Sequence, residues 1–212
     1  MASQPREHGI VVAPFRRQHV ARVAALHCGA LPGLLSAMGP VAAAAFYEGY
    51  LASPRCVAFV DEHDGIVRGF VLGSGDPEGM RRDALRANTL GILRGMAASV
   101  LRRPRVLRLL AGGAAGLGAG GFDPRGPELT YIAVREDARG AGVGSALLAA
   151  FHSTLRGQGV GRYELSVEAD NHRAITFYES RGLRQGGTYR QFGTTYRRYA
   201  RELPPASGTE AR

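Results

Sequence analysis

A glycine-rich turn between a strand and a helix constrains this chain more than any other feature. Leu129–Val134 is a compact apolar run of strand length, and from Val143 to Leu155 an apolar residue recurs every four positions, as on one helix face. The turn between them, Arg139–Gly144, has the sequence Arg-Gly-Ala-Gly-Val-Gly. Glycines let a backbone approach a ligand, and the first N–H groups of a helix attract anions. The segment therefore predicts either a phosphate-binding turn, to which Arg139 adds a charge-assisted hydrogen bond, or only a tight connection.

Two familiar nucleotide-binding patterns do not fit this turn. A Walker A loop is excluded, because no Gly-Lys-Ser/Thr follows the glycines. The dinucleotide fingerprint needs glycine or alanine where Ser145 stands, and the remaining chain is too short for a second mononucleotide-binding half. The anion site, if there is one, belongs to another class of protein.

Strand and helix patterns alternate along most of the rest of the chain. Asp64–Gly65 is a strong hairpin signal between two β-rich runs, and Asn171 is a good N-cap with Gly182 at the C′ position. The predicted strands are Gly9–Ala13, Cys56–Val60, Ile66–Leu72, Leu129–Val134, Tyr163–Glu168, Leu183–Tyr189 and Thr194–Tyr199. The predicted helices are Arg16–Cys28, Pro40–Leu51, Val143–Leu155 and Asn171–Ser180. This order predicts an α/β domain, with a mixed sheet and helices on both faces.

Pro77–Pro124 differs from its surroundings. It has scattered arginines, helical character at Leu101–Leu110 and a low-complexity run at Ala111–Gly121. We interpret it as a helical insertion that ends in a Gly/Ala-rich linker, and its role as a lid, a dimer contact or a passive decoration stays open. Residues 1–203 are predicted to form one domain, followed by a disordered tail, 204–212.

The charge of the chain favours a small phosphorylated ligand over nucleic acid. The net charge is +9, and all 27 basic residues are arginine. This excess reflects either a GC-rich genome or an attraction for polyanions. The two densest clusters, Arg102–Arg108 and Arg197–Arg201, do not interleave aromatic residues as a single-strand-binding surface does.

Metal binding and membrane insertion have no support in the sequence. Cys28 and Cys56 lie far apart, and no two histidines have the spacing of a metal site, so no metal is predicted. No apolar run approaches the roughly 20 residues that span a bilayer. Met1–His8 is polar and lacks the apolar core of a secretory signal, so a cytoplasmic location is expected.

Two motifs resemble those of the GNAT superfamily of acyl-CoA-dependent N-acyltransferases. Leu129–Gly144 (LTYIAVREDARGAGVG) is similar to the family signature, whose loop has the pattern Gln/Arg-x-x-Gly-x-Gly/Ala. The residues at its three defining positions are Arg139, Gly142 and Gly144. Asn171–Gly182 (NHRAITFYESRG) is similar to the next motif, with matches at Asn171, Ala174, Phe177, Tyr178 and Gly182. The resemblance is close from Leu129 to Leu183 and looser elsewhere.

The resemblance implies a GNAT-like fold, a mostly antiparallel mixed sheet between helices, with acetyl-CoA as co-substrate. The main chain of Ile132, Ala133 and Val134 would pair with the pantetheine arm. The pyrophosphate would be held by the amides of Arg139, Gly140, Ala141, Gly142, Val143, Gly144 and Ser145. The helix that begins at Asn171 would line the other side of the arm, with Ala174, Phe177 and Tyr178.

The family chemistry implies direct attack of an amine on the thioester. Tyr178 resembles the tyrosine that protonates the leaving thiolate, although its helical spacing also fits packing beside Ile175. A backbone N–H of the Ile132–Val134 strand would stabilise the oxyanion. Glu128 and Glu168, at strand ends, are the candidates for the base, and each also fits a solvated carboxylate.

The acceptor is the least constrained part of the prediction. Leu31–Gly39 follows the first helix, where the family builds its acceptor pocket, so Leu31, Leu35 and Glu128 are the expected substrate contacts. The favoured acceptor is a small-molecule primary amine, for example an amino sugar or a natural product. Acetylation of a protein or peptide is the alternative, followed by a non-catalytic acyl-CoA-binding or nucleic-acid-binding module. The sequence does not decide between a monomer and a homodimer.

Overall fold

The computed structural model describes residues 9–102, 126–191 and 193–204. A seven-stranded sheet has the order β1-β2-β3-β4-β5-β7-β6. Its strands are β1 (Val12–Pro14), β2 (Cys56–His63), β3 (Ile66–Ser74), β4 (Glu128–Val134), β5 (Arg162–Glu168), β6 (Arg184–Gln191) and β7 (Thr194–Glu202). The helices are α1 (Val20–Ala30), α2 (Leu34–Met38), α3 (Pro40–Leu51), α4 (Pro77–Arg102), α5 (Val143–Gly157) and α6 (His172–Glu179).

Neighbouring strands are antiparallel everywhere except between β4 and β5. These two strands run parallel and share a single paired position, Glu128 with Glu164. Their ladder does not continue beyond this pair, so a gap opens between them toward their C-terminal ends. The predicted mixed, mostly antiparallel sheet is confirmed, and the gap is its main irregularity.

Two hydrophobic cores lie on opposite faces of the sheet, as predicted. The alternation of β3 separates them, because Val71 enters one core while Phe70 and Leu72 enter the other. On the first face, α5 buries Leu147 and Phe151 completely. On the second face, the helices α1, α3 and α4 cover the sheet, with residues such as Val23, Tyr47 and Met80. Burying one such large side chain contributes about 1.5–3 kcal/mol.

Several predicted boundaries shift for local reasons. The first strand begins at Val12 instead of Gly9, because the Val11 N–H donates to the carboxylate of Asp61 (2.8 Å) and does not join the ladder. The first helix begins with a 3₁₀ turn, Arg17–His19, and continues to Ala30 instead of Cys28. The short helix α2 was not predicted; a glycine with positive φ flanks it on each side.

The predicted turns are confirmed. Asp64 and Gly65 both have positive φ (48° and 75°), as a tight hairpin requires. The Asn171 carboxamide oxygen accepts a hydrogen bond from the Ala174 N–H (3.1 Å). At the other end of α6, the Leu183 N–H donates to the Tyr178 carbonyl across Gly182, which has φ 76°.

The described part of the insertion is the helix α4, which packs along α3. Asn88 interrupts it with non-helical angles (φ −141°, ψ 34°), and its side chain donates to the Ala45 carbonyl (2.8 Å). The predicted linker Ala111–Gly121 lies outside the described residues, as do all but two residues of the predicted helix at Leu101–Leu110 and nearly all of the predicted tail. Within the described part of the chain, no helix is long and apolar enough to cross a membrane.

Candidate active site

A cavity of about 670 Å³ occupies the gap between β4 and β5. Nearly every residue that the sequence predicted for the site lines it. From the strand, turn and helices these are Ile132, Ala133, Val134, Arg139, Gly140, Gly142, Val143, Gly144, Ser145, Asn171, Ala174, Phe177 and Tyr178, and from the candidate base and acceptor contacts they are Leu31, Leu35, Glu128 and Glu168. Ala141 is the exception and does not line the cavity.

The turn after β4 presents a row of free amides at one end of the cavity. The N–H groups of residues 140–144 have no hydrogen-bond partner among the described residues. This row is shorter than the predicted row, Arg139–Ser145, because the Arg139 and Ser145 N–H groups donate to the carbonyls of Glu136 (3.2 Å) and Gly142 (3.0 Å). Gly140 and Gly142 have positive φ (81° and 85°), a backbone conformation that glycine adopts readily, and α5 begins directly after Gly142. We call this region the anion end; its geometry suits a phosphate group.

Three arginines line the cavity together with this turn, of which only Arg139 was predicted. The guanidinium of Arg139 donates to the carbonyl of Val134 (3.1 Å). Arg181 lies over the ring of Phe177 (3.9 Å to the centroid) and donates to the hydroxyl of Ser145. Arg173, on α6, is the third. The two residues that were not predicted, Arg173 and Arg181, fall within the second motif, between its defining positions. Their positive charge, close to a predicted anion site, was the signal that could have identified them.

The opposite end of β4 carries a bulge. Leu129 pairs with Gly73 and Tyr131 pairs with Leu72, which leaves Thr130 without a partner in the register. The Thr130 hydroxyl is buried and has no hydrogen-bond partner among the described residues, although Thr130 lines the cavity. A buried polar group without a partner is costly, so this position is suited to a ligand that completes its hydrogen bonding.

Tyr178 lies between the cavity and the core under α5. Its side chain is buried, and its ring lies 5.5 Å from Phe177 and 6.3 Å from Tyr199. Burial raises the pKa of the phenol well above its ordinary value. The phenol therefore stays protonated at physiological pH and is available as a donor, but it is a weaker acid than the ordinary pKa near 10 implies.

Glu128 and Glu168, the two predicted carboxylates, have different surroundings. Glu128 is 9% exposed, and burial raises its pKa while Arg81 on α4 lowers it. The Arg81 Nη1 atom lies 3.5 Å from Glu128 Oε2. Glu168, at the end of β5, is less buried; partial burial and then the nearby Asp170 raise its pKa. Glu128 is therefore the more buried of the two carboxylates, and it has a cation beside it.

A buried histidine that the sequence analysis did not select also lines the cavity. His27 Nδ1 lies 2.7 Å from the Tyr47 hydroxyl, and its ring packs edge-on against Tyr131 (4.8 Å). Burial lowers the pKa of His27 to about 4, so the ring is neutral at physiological pH. Its signal in the sequence was weak, since an isolated histidine on an apolar helix face resembles an ordinary core residue.

The hairpin β6–β7 supplies the last wall of the cavity. The rings of Tyr189 and Tyr196 stack 5.3 Å apart at an angle of 17°. Tyr189 and Tyr131 lie near Glu128, and His27 packs against Tyr131, so these residues form a second end of the cavity that is rich in aromatic rings and carries a carboxylate. We call this region the carboxylate end.

Comparisons with known proteins agree with this geometry. Residues 34–183 match the model of the Acetyltransferase (GNAT) family. No curated protein sequence matches significantly. Among solved structures, the ribosomal-protein-S18-alanine N-acetyltransferase from Escherichia coli is similar (TM-score 0.58, 16% identity, covering 96% of this chain and 99% of that one). Ard1 from Thermoplasma volcanium (TM-score 0.59, 19% identity, 92% and 97%) and an IAA acetyltransferase from Bacillus cereus ATCC 14579 (TM-score 0.52, 16% identity, 92% and 100%) are also similar.

At these identities the solved structures show a shared fold and do not indicate the acceptor. The family match covers more than half of the chain and includes both sequence motifs. The chain therefore belongs to the Acetyltransferase (GNAT) family and is an acyl-CoA-dependent N-acyltransferase, whose family uses acetyl-CoA as co-substrate.

Proposed function

We propose that this protein transfers an acetyl group from acetyl-CoA to the primary amine of a small molecule, such as an amino sugar or a natural product. The observation that carries the proposal is the single cavity between β4 and β5, with free amides at one end and a buried carboxylate at the other. The two ends are separated by the length of β4, seven residues or roughly 20 Å, which leaves room for an extended pantetheine arm.

The carboxylate end favours a compact acceptor. Leu31, in the α1–α2 connection, and Leu35, in α2, line the same cavity, and α4 reaches Glu128 through Arg81. A protein or peptide acceptor would need an open groove that admits a chain, so these elements support a small-molecule acceptor. Peptide acetylation is the alternative that the assay must separate.

The residues divide the chemical work as follows. Glu128 takes a proton from the substrate ammonium, directly or through a water molecule, and the resulting amine nitrogen forms a bond to the thioester carbon. A main-chain N–H of β4, at the Thr130 bulge or in the segment Ile132–Val134, stabilises the tetrahedral oxyanion. The carbon–sulfur bond then breaks, and Tyr178 gives its proton to the leaving thiolate. Its raised pKa makes this donation uphill in water, so the thiolate has to be held next to the phenol. The nitrogen loses its second proton to solvent as the amide forms, and solvent returns a proton to the Tyr178 phenolate.

Thiol release from acetyl-CoA, measured against a panel of amines, tests the proposal. The panel contains amino sugars, polyamines, aminoglycosides, amino acids and short peptides. We expect Tyr178→Phe to lower kcat about 100-fold with little change in acetyl-CoA affinity. Tyr199→Phe is the matched control: its ring neighbours Tyr178, but its hydroxyl bonds Glu179 outside the cavity, so activity is retained. Turnover restricted to peptides, or an unaffected Tyr178→Phe, refutes this assignment.

A further inference from the structure

The ion pair between Arg81 and Glu128 connects the insertion to the site. Arg81 belongs to the second turn of α4, and Glu128 is the first residue of β4, 47 positions along the chain. Glu128 would be present in the same strand without the insertion, but the cation beside it would not. We infer that α4 supports the acceptor site from outside the cavity, where Arg81 acts as a positioning residue that holds Glu128 as a carboxylate.

The start of α4 is fixed firmly enough for this role. Asp76 accepts a hydrogen bond from the Gly79 N–H (2.9 Å) and pairs with Arg55 (2.9 Å). Asp83 accepts hydrogen bonds from Arg55 (2.6 Å) and from the hydroxyl of Ser53 (2.7 Å). These contacts tie both flanks of Arg81 to the α3–β2 connection. A movement of the helix that removed Arg81 from Glu128 would have to break them.

Close packing against α3 holds the helix at the same place. A side chain added at Gly49 would come within 2.9 Å of the Ala84 carbonyl oxygen, so the two backbones approach as closely as glycine permits. Met80 and Ala84, on either side of Arg81, are buried in the core beneath. The Arg81 side chain is 37% exposed, so solvent screens its charge only in part. The packing of the helix defines the position from which this side chain reaches Glu128.

Within the described part of the chain, Arg81 is the cation that lowers the pKa of Glu128, against the larger effect of burial. Three phenols, those of Tyr50, Tyr131 and Tyr189, also lie near this carboxyl. Burial raises the pKa of each phenol, to about 12 for Tyr50, so all three are neutral at physiological pH.

The residue beside Glu128 in the sheet does not change this balance. Glu164, its partner in β5, pairs with Arg162 (2.7 Å) and lies near Arg198 (4.0 Å). Burial disfavours the charged form of Glu128, and the positive charge of Arg81 favours it.

Without Arg81, the pKa of Glu128 rises further, so a larger fraction of the carboxyl is protonated at slightly acidic pH. A protonated Glu128 neither accepts a proton from the amine nor attracts an ammonium. We expect Arg81→Met to lower kcat/KM for the acceptor several-fold near about pH 6 and to leave it close to the wild-type value near about pH 9. The KM for acetyl-CoA should not change, because Arg81 does not line the cavity.

Matched variants separate this effect from a general loss of charge. Arg82→Met removes the same charge from the next residue, which is exposed, and should leave the pH profile unchanged. Arg81→Lys keeps the charge and should keep the acidic limb near its wild-type position. An acidic limb that stays in place in Arg81→Met, or that moves equally in Arg82→Met, overturns the inference.

A measurement without turnover is needed as well, since the inference rests on the proposed function. Urea unfolding of Arg81→Met, Glu128→Gln and the double variant forms a double-mutant cycle that we would measure across the acidic range. We expect a coupling at neutral pH that disappears as Glu128 becomes protonated. If the wild type acetylates no amine of the panel but the coupling is present, the proposed acceptor class fails and the ion pair stands. If the cycle is additive at every pH, the inference fails whatever the protein acetylates.

Discussion

The conformation of Gly142 makes a prediction about both stability and ligand binding. Its φ of 85° is in the left-handed region, where a Cβ atom costs about 1–2 kcal/mol. A Cβ would also lie 3.3 Å from the end of the Ile10 side chain, which is partly exposed and can move. Gly142→Ala should therefore lower the free energy of unfolding by about 1–2 kcal/mol, most of it from the backbone. For a domain of this size, that corresponds to a melting temperature about 2–8 °C lower.

Gly157→Ala is the matched control for this change. Gly157 is the last residue of α5, its φ is not positive, and nothing lies within 4 Å of an added Cβ. Alanine is the better helix former by about 1 kcal/mol, so this variant should melt at the wild-type temperature or slightly above. Circular dichroism would follow the melting of both variants.

The same pair of variants tests the anion end. Relieving the strain at Gly142 would turn the neighbouring amides, so acetyl-CoA should bind Gly142→Ala more weakly and should raise its melting temperature less than it raises that of the wild type. Calorimetric titration with acetyl-CoA would measure the affinity directly, and Gly157→Ala should bind as the wild type does. Equal stability and equal affinity of the two variants would refute the assignment of this turn.

Two further predictions concern buried polar groups. Thr130→Val removes a hydroxyl that has no partner among the described residues, so it should raise the free energy of unfolding by about 1 kcal/mol while lowering kcat/KM; a loss of stability in urea unfolding would argue against this account. Burial lowers the pKa of both His27 and His152 to about 4 from 6.5, so the unfolded state binds more protons between these values and stability should fall as the pH falls through this window. His152→Phe should make that dependence shallower by about one proton in unfolding measured across the same range, and an unchanged slope would exclude His152 as a source.

The site was predictable where its chemistry is local in the sequence. The strand, the glycine turn and the helix after it lie within 30 residues, so their order and their pattern were enough to predict this strand–turn–helix unit and its unpaired amides. The N-cap Asn171 and the glycine at 182 were predictable for the same reason, since a cap depends on neighbouring residues.

The carboxylate end was not predictable in the same way. Arg81, His27 and Tyr47 come from three different helices, and only tertiary packing brings His27 to Tyr47 and Arg81 to Glu128. The kink at Asn88 depends likewise on a carbonyl of another helix. Periodicity identifies the buried face of a helix, but it does not identify the residues on the facing helix.

The gap between β4 and β5 has a consequence for the energetics of ligand binding. A single hydrophobic core under α5 contains Val71 and Leu129 on one side of the gap and Leu165 and Tyr199 on the other. The two parts of the sheet are thus fixed to the same helix, and the slot between them is preorganised instead of being opened by its ligand. In the proposed binding mode a pantetheine arm enters this slot beside β4 without the cost of opening it, so more of its contact energy is available as affinity.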